Sequence, residues 1–262
     1  MQILEHNNQK VTVDKGELVG YEVNGHEYIH QKGSPGWRNA DTEMFPIIGP
    51  TAEARFQVQT PKDIAIQDQH GLLREMEYEL TFESATELKY GKTYTAGTQV
   101  GNSKYPNKSD KQFLYWPYAF QFEKKIRLLA DALEITFTIS GERDTPFMLG
   151  YHPAFKLHGE NVSIKTGERT IALDEVLAVG SRALEVPNCN SVVLQDTSGL
   201  SITTEGFKGF MLWTEVRNMV CIEPITFYPY AVPQHLLHEG FDYILNIPKR
   251  FTVKLRPEPQ VA

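Results

Sequence analysis

Residues 133–140 constrain the fold more than any other stretch of this chain. Leu133, Ile135, Phe137 and Ile139 alternate with Glu134, Thr136, Thr138 and Ser140. Successive side chains of a strand point to opposite faces, so this pattern predicts a strand with one buried and one polar face. Phe120, Phe122, Ile126 and Leu128 predict its neighbour, with Ala130-Asp131-Ala132 as the turn between them. Met76, Tyr78, Leu80 and Phe82 repeat the period, as do Phe251, Val253 and Leu255. Further β-rich runs cover 55–59, 200–204, 210–214 and 219–223. Helical periodicity is nearly absent, and only 38–45 and 234–239 are expected to hold a turn or two. The region 95–116 does not alternate and predicts a long loop, of the kind that often lines sites. Gly and Pro are scattered through the chain, without repeats or a break in composition. The expectation is an all-β fold: one domain over residues 1–262, a large antiparallel β-sandwich.

With 41% hydrophobic residues in 262, the chain can bury a substantial core. Lys and Arg total 26 against 33 Asp and Glu, a net charge of -7. Nucleic acid and anionic membranes both require a basic footprint, so neither is expected as a partner. A small neutral ligand suits the balance. Cys189 and Cys221 form no CxxC pair and no metal-type spacing, which fits a reducing compartment. The first residues lack the signal-peptide pattern, and no apolar run is long enough to span a membrane as a helix. A cytoplasmic location is therefore expected. The sequence does not set the oligomeric state.

His26-Glu27-Tyr28-Ile29-His30 matches the HExxH pattern of zinc peptidases. That chemistry needs a helix, which puts both histidines on one face. Asn24-Gly25 is instead a hairpin turn signal. On a strand, residues four apart are separated by about 13 Å, too far to share an ion. The expectation is two surface histidines on a strand. His235 and His238, spaced for a helical turn, have no third ligand nearby and are expected at a site rim at most.

Three segments set titratable side chains among glycine, proline and aromatics: Gln69-His70-Gly71-Leu72-Leu73-Arg74-Glu75, Gly150-Tyr151-His152-Pro153-Ala154-Phe155, and Cys221-Ile222-Glu223-Pro224. Taken singly, each reads equally well as a strand end or a tight turn. Together with Phe45-Pro46-Ile47-Ile48-Gly49, they resemble the ordered landmarks of the aldose 1-epimerase (galactose mutarotase-like) family, above all its shorter bacterial branch. The resemblance runs from about Leu18 to about Leu255. It implies a large twisted antiparallel β-sandwich with a free sugar bound in an open cleft. It also implies that Glu223 takes the proton from the anomeric hydroxyl and that His152 donates one to the ring oxygen. His70 and Arg74 would hold the sugar. Ring opening and reclosure by this pair needs neither metal nor organic cofactor. Carboxylate and imidazole, with ordinary pKa values of roughly 4.3 and 6.5, are suited to both roles.

A sugar's C–H face packs on aromatic rings, which makes Trp213 and Phe155 candidates, with Trp116 behind them. Where the family usually has arginine after the glycine, this chain has Pro50, and Arg55 is the nearby candidate to replace it. The family's sugar-holding aspartate has no clear counterpart. Two alternatives accompany the mutarotase expectation: a hexose-6-phosphate 1-epimerase, drawing on Arg38, Arg55 and Arg74, and a non-catalytic carbohydrate-binding or sensing protein. A glycoside hydrolase or lyase using Asp68, Glu75 or Tyr151 ranks below both.

Overall fold

The structure is a computed structural model and describes residues 1–258; residues 259–262 of the expected domain lie outside the described residues. Two antiparallel sheets carry the architecture. The larger has nine strands, in the order 170–172, 163–165, 191–195, 200–205, 249–257, 133–141, 120–128, 87–94 and 79–83. The smaller runs 184–187, 209–213, 219–225, 150–151 and 43–44, with 154–156 also pairing with 219–225. A four-stranded sheet built from residues 2–27 adjoins them.

The alternating run at 133–140 forms the expected strand, Leu133–Gly141, and its apolar set is fully buried. It pairs with Phe120–Leu128 around the turn at 130–132. The two sheets meet through aromatic contacts: Phe137 packs on Tyr151 with ring centres 5.1 Å apart, and Phe122 lies against both Phe137 and Phe45. Burying one such ring contributes about 1.5–3 kcal/mol.

One buried group breaks the apolar pattern. Lys124 falls on the inward parity of its strand, between Phe122 and Ile126, and is fully buried. Its ammonium lies 2.7 Å from Asp41 Oδ2 and 2.8 Å from Glu43 Oε1 on the facing sheet's edge segment. The Tyr151 hydroxyl also donates to Asp41 Oδ2, at 2.7 Å.

Several local expectations are corrected. Glu79–Glu83 is a strand, but it lies at the sheet edge with all five side chains exposed, including Leu80 and Phe82. Its alternation therefore marks no buried face. Residues 38–45 hold a short strand, Glu43–Met44, rather than helix. Among the described residues the α-helix is Leu173–Val179, too short to show a periodic pattern. Residues 234–240 do form a helical stretch, of the tighter 3-10 type. The long loop at 95–116 carries a two-residue ribbon, Val100–Gly101 with Phe113–Leu114. Among the described residues no helix is long and apolar enough to cross a membrane.

Candidate active site

The strand Met219–Ile225 is buried along its whole length and alternates between two environments. Val220 and Ile222 face the main core, while Cys221 and Glu223 face the other way. On the neighbouring strand, Met211 is in register with Glu223 and Trp213 with Cys221. On the other side, Gly150 pairs with Ile225 and Ala154 with Cys221, which sets His152 opposite Glu223. Pro153 has no N–H to give the ladder, so the pairing lapses there. The His152 backbone turns to Thr42 instead, donating at 2.8 Å and accepting at 3.2 Å.

This register brings His152 Nε2 to 3.4 Å from Glu223 Oε1. Both side chains are buried, at 5% and 1% exposure, yet both line a cleft of about 420 Å³. Burial disfavours charge on each. It pushes the Glu223 carboxyl well above its usual range. It lowers the His152 imidazole to about 3, with the Arg74 charge adding to the effect. Burial thus favours the uncharged form of each group, an arrangement in which the carboxyl proton is the one the pair can share.

His70 is placed by a strained turn. It has φ +77° and is followed by Gly71 at φ +72°. A Cβ on Gly71 would lie 2.2 Å from the Phe45 carbonyl oxygen, so only glycine lets the two backbones approach this closely. The His70 backbone bonds to Ile48 O and Phe45 N, and Nδ1 lies 3.1 Å from Ile48 O. A carbonyl only accepts, so Nδ1 carries the hydrogen and Nε2 is left as an acceptor. The imidazole meets that of His152 edge-on, with ring centres 5.3 Å apart. Burial first, and the neighbouring His152 and Arg74 next, hold it well below its usual pKa.

The cleft is walled by Trp37, Trp213, Tyr230 and Met211, with Gln69, Lys108 and Glu215 among its polar lining. Trp37 stacks on His152 at 4.2 Å and an interplanar angle of 23°. Its loop is pinned in three places: His30 Nε2 to Trp37 O at 2.8 Å, Trp37 N to Met219 Sδ at 3.3 Å, and Asn218 Nδ2 to Pro35 O at 2.7 Å.

Of the residues expected at the site, the fold brings Glu223, His152, His70 and Trp213 to one cleft. Arg74 lies on a 3-10 turn, Leu73–Glu75, and lines a separate cavity of about 410 Å³ with Asp41, Glu43 and Lys92. Its charge reaches both histidines, but it does not line the cleft. Arg55 is exposed, in left-handed backbone closing the turn at 52–54, and is not part of the cleft lining. Phe155 points into the core, one residue out of phase with the cleft-facing positions. Trp116 is buried against Phe241. The HExxH segment forms the expected hairpin, with positive φ at both Asn24 and Gly25. His30, however, is buried rather than on the surface, because it anchors the Trp37 loop. His235 and His238 do not line the cleft. Sequence reasoning missed Trp37, Lys108, Glu215 and Tyr230. The signal for Trp37 was a single large aromatic in the otherwise polar, Gly- and Pro-rich run 31–39, where no strand pattern asks for one.

The sequence model of the aldose 1-epimerase family matches residues 54–195, more than half of the chain. The chain belongs to the aldose 1-epimerase family. His70, Arg74 and His152 fall inside the matched region; Glu223 lies beyond it, tied to the same site by strand register. No curated protein matches the sequence. Solved structures share the fold. A galactose mutarotase-like protein from Lactobacillus casei superposes with a TM-score of 0.81 at 14% identity, covering 98% of this chain and 100% of its own. A galactose mutarotase related enzyme from Lactobacillus acidophilus gives 0.80 at 18% identity, over 99% and 97%. An aldose epimerase homologue from C. elegans gives 0.63 at 9% identity, over 98% of each chain.

Proposed function

We propose that this member of the aldose 1-epimerase family interconverts the α and β anomers of a free hexose. The observation that carries the reading is the buried His152–Glu223 pair, 3.4 Å apart at the base of a cleft walled by two tryptophans. The cleft volume lies in the range of about 300–1,000 Å³ typical of small-molecule sites.

Opening a hemiacetal removes one proton from the anomeric hydroxyl and delivers one to the ring oxygen. A neutral pair sharing one proton does both. With that proton on His152, the Glu223 carboxylate accepts from the anomeric hydroxyl while His152 donates to the ring oxygen, and the C1–O5 bond breaks. The aldehyde rotates about C1–C2 and recloses on its other face with the roles reversed. Water exclusion by Trp37 strengthens these transfers, and each group contributes on the order of 10²–10⁴-fold. The indoles of Trp37 and Trp213 take the C–H face of the sugar. His70 Nε2 accepts from a hydroxyl. Gln69, Glu215 and Lys108, which also line the cleft, supply further polar partners.

A neutral sugar is favoured over a hexose 6-phosphate. Lys108 is the one Lys or Arg lining the cleft among the described residues, while Arg55 and Arg74 lie elsewhere. Phosphate recognition generally uses bidentate arginine or clustered cations. The acid–base pair also favours an enzyme over a sensing protein, because binding alone needs no proton transfer.

Exchange between the anomeric protons of glucose, galactose and glucose 6-phosphate, followed by NMR with and without the protein, tests this reading. Enhanced exchange on a free hexose is the expected result. Enhancement confined to the phosphate would move the substrate class. No enhancement on any of the three would remove the enzymatic reading.

A further inference from the structure

One buried group beside the His152–Glu223 pair, behind the cleft lining, has no part in the proposed reaction. Cys221 is two residues from Glu223 on the same face of the same strand, so its thiol lies beside the catalytic pair rather than in the main core. A ligand atom from each of His152, Cys221 and Glu223 lies within 4.8 Å of the other two, and all three residues are buried. The sequence positions of the cysteines concealed this cluster, because it is made by strand register and not by spacing.

We propose that this cluster binds a soft divalent cation of the Zn²⁺ class, and that its occupancy inhibits the enzyme. The donor set is thiolate sulfur, imidazole nitrogen and carboxylate oxygen, the three ligand types Zn²⁺ prefers. With Zn–N and Zn–O bonds of about 2.0–2.2 Å, two ligand atoms of a tetrahedral site sit roughly 3.3–3.6 Å apart. The His152 Nε2 to Glu223 Oε1 distance of 3.4 Å already meets this. With a Zn–S bond of about 2.3 Å, Cys221 Sγ would close in by about 1.2 Å or less from within 4.8 Å. His152 Nδ1 is a buried atom with no hydrogen-bond partner, so no bond from that nitrogen has to break as the ring adjusts. Three protein ligands leave the fourth position open to the cleft.

As the ion binds, the thiol proton and the proton of the His152–Glu223 pair leave to solvent. The net ligand charge of −2 then balances the ion. A coordinated imidazole and carboxylate cannot exchange protons with a sugar. Metal binding stands on the geometry alone; inhibition rests on the proposed acid–base roles.

The test is a titration of the purified protein with Co²⁺ as a spectroscopic probe. The expected result is one equivalent bound, with a thiolate-to-cobalt charge-transfer band in the near ultraviolet that Zn²⁺ displaces. The band should vanish in Cys221→Ser and in Cys221→Ala, with thermal unfolding confirming that each folds, and should persist in Cys189→Ser. In a polarimetric assay of the decay of freshly dissolved α-glucose or α-galactose, Zn²⁺ should slow the wild type and a chelator should restore it. Measured against each protein's own metal-free rate, the half-inhibiting Zn²⁺ concentration should rise at least tenfold in Cys221→Ser. No cobalt band, or a band that survives in Cys221→Ser, overturns the site. A cobalt band in a wild type without mutarotase activity would uphold the metal site while removing the enzymatic reading.

Discussion

The indole of Trp37 lies flat on the imidazole of His152, ring centres 4.2 Å apart, on a loop that no strand of the scaffold contains. His30 holds the Trp37 carbonyl and Met219 its amide, so the loop is fastened to the strand that carries Glu223. In the proposed reaction the tryptophan is both roof and sugar platform. Trp37→Ala is expected to lower kcat/KM by roughly 10–100-fold, the equivalent of losing about 1.5–3 kcal/mol of apolar burial. Trp37→Phe should retain most activity. Equal activity in the alanine variant would show that the ring takes no part.

Lys124 compensates two buried carboxylates. Burial pushes the Asp41 carboxyl up to about 6 against the pull of Lys124, with the Glu43 charge adding to the rise. Burial pushes Glu43 up as well, but the Lys124 and Lys92 ammonium groups outweigh it and hold that carboxyl below its usual range. Lys124→Met strands both groups and should cost about 3–5 kcal/mol at neutral pH.

The pH dependence of that variant follows from linkage. A carboxyl raised in the folded state binds protons more readily folded than unfolded, so its contribution favours folding at low pH and is lost as pH rises through the window. Of this pair, Asp41 acts in this sense in the wild type, between about pH 4 and 6. Glu43 acts oppositely, its contribution present above its ordinary pKa and lost as pH falls through the lowered value. Without Lys124 both carboxyls are raised. Urea unfolding should therefore show the variant recovering stability between about pH 7.5 and 5, by more than the wild type does. An equal deficit at both pH values would contradict the account.

Gly71→Ala tests how His70 is placed. The new Cβ meets backbone, the Phe45 carbonyl, in a φ region that side chains rarely adopt. The expected loss is roughly 2 kcal/mol or more of stability, read as a lowered Tm. Activity should fall further than stability alone explains, because His70 moves with the turn. A variant with unchanged Tm and rate would show that the turn is not constrained as described.

The β-architecture was legible because alternation reports burial directly: Leu133, Ile135, Phe137 and Ile139 all point inward. Edge position was not legible. Leu80 and Phe82 carry the same alternation and are exposed, since the pattern does not say whether a second layer covers the strand. Lys124 was readable as a charge on an inward parity, but its partners, some 80 residues away, were not. At the site, the resemblance supplied Glu223, His152 and His70, and the fold unites them. Arg55 and Phe155 failed for local reasons. Arg55 closes a left-handed turn and projects outward, and Phe155 is one residue off the phase of His152 and Ala154. Cys221 escaped notice because sequence spacing cannot show which residue lies across a strand.

The central claim is that Glu223 and His152 together move two protons in one ring opening. Polarimetry of freshly dissolved α-glucose and α-galactose with wild type, Glu223→Gln and His152→Ala tests it most directly. The account predicts that wild type hastens the decay to equilibrium on at least one sugar, and that each variant loses about 10²–10⁴-fold of the enhancement while remaining folded. Undiminished rates in either folded variant would contradict it.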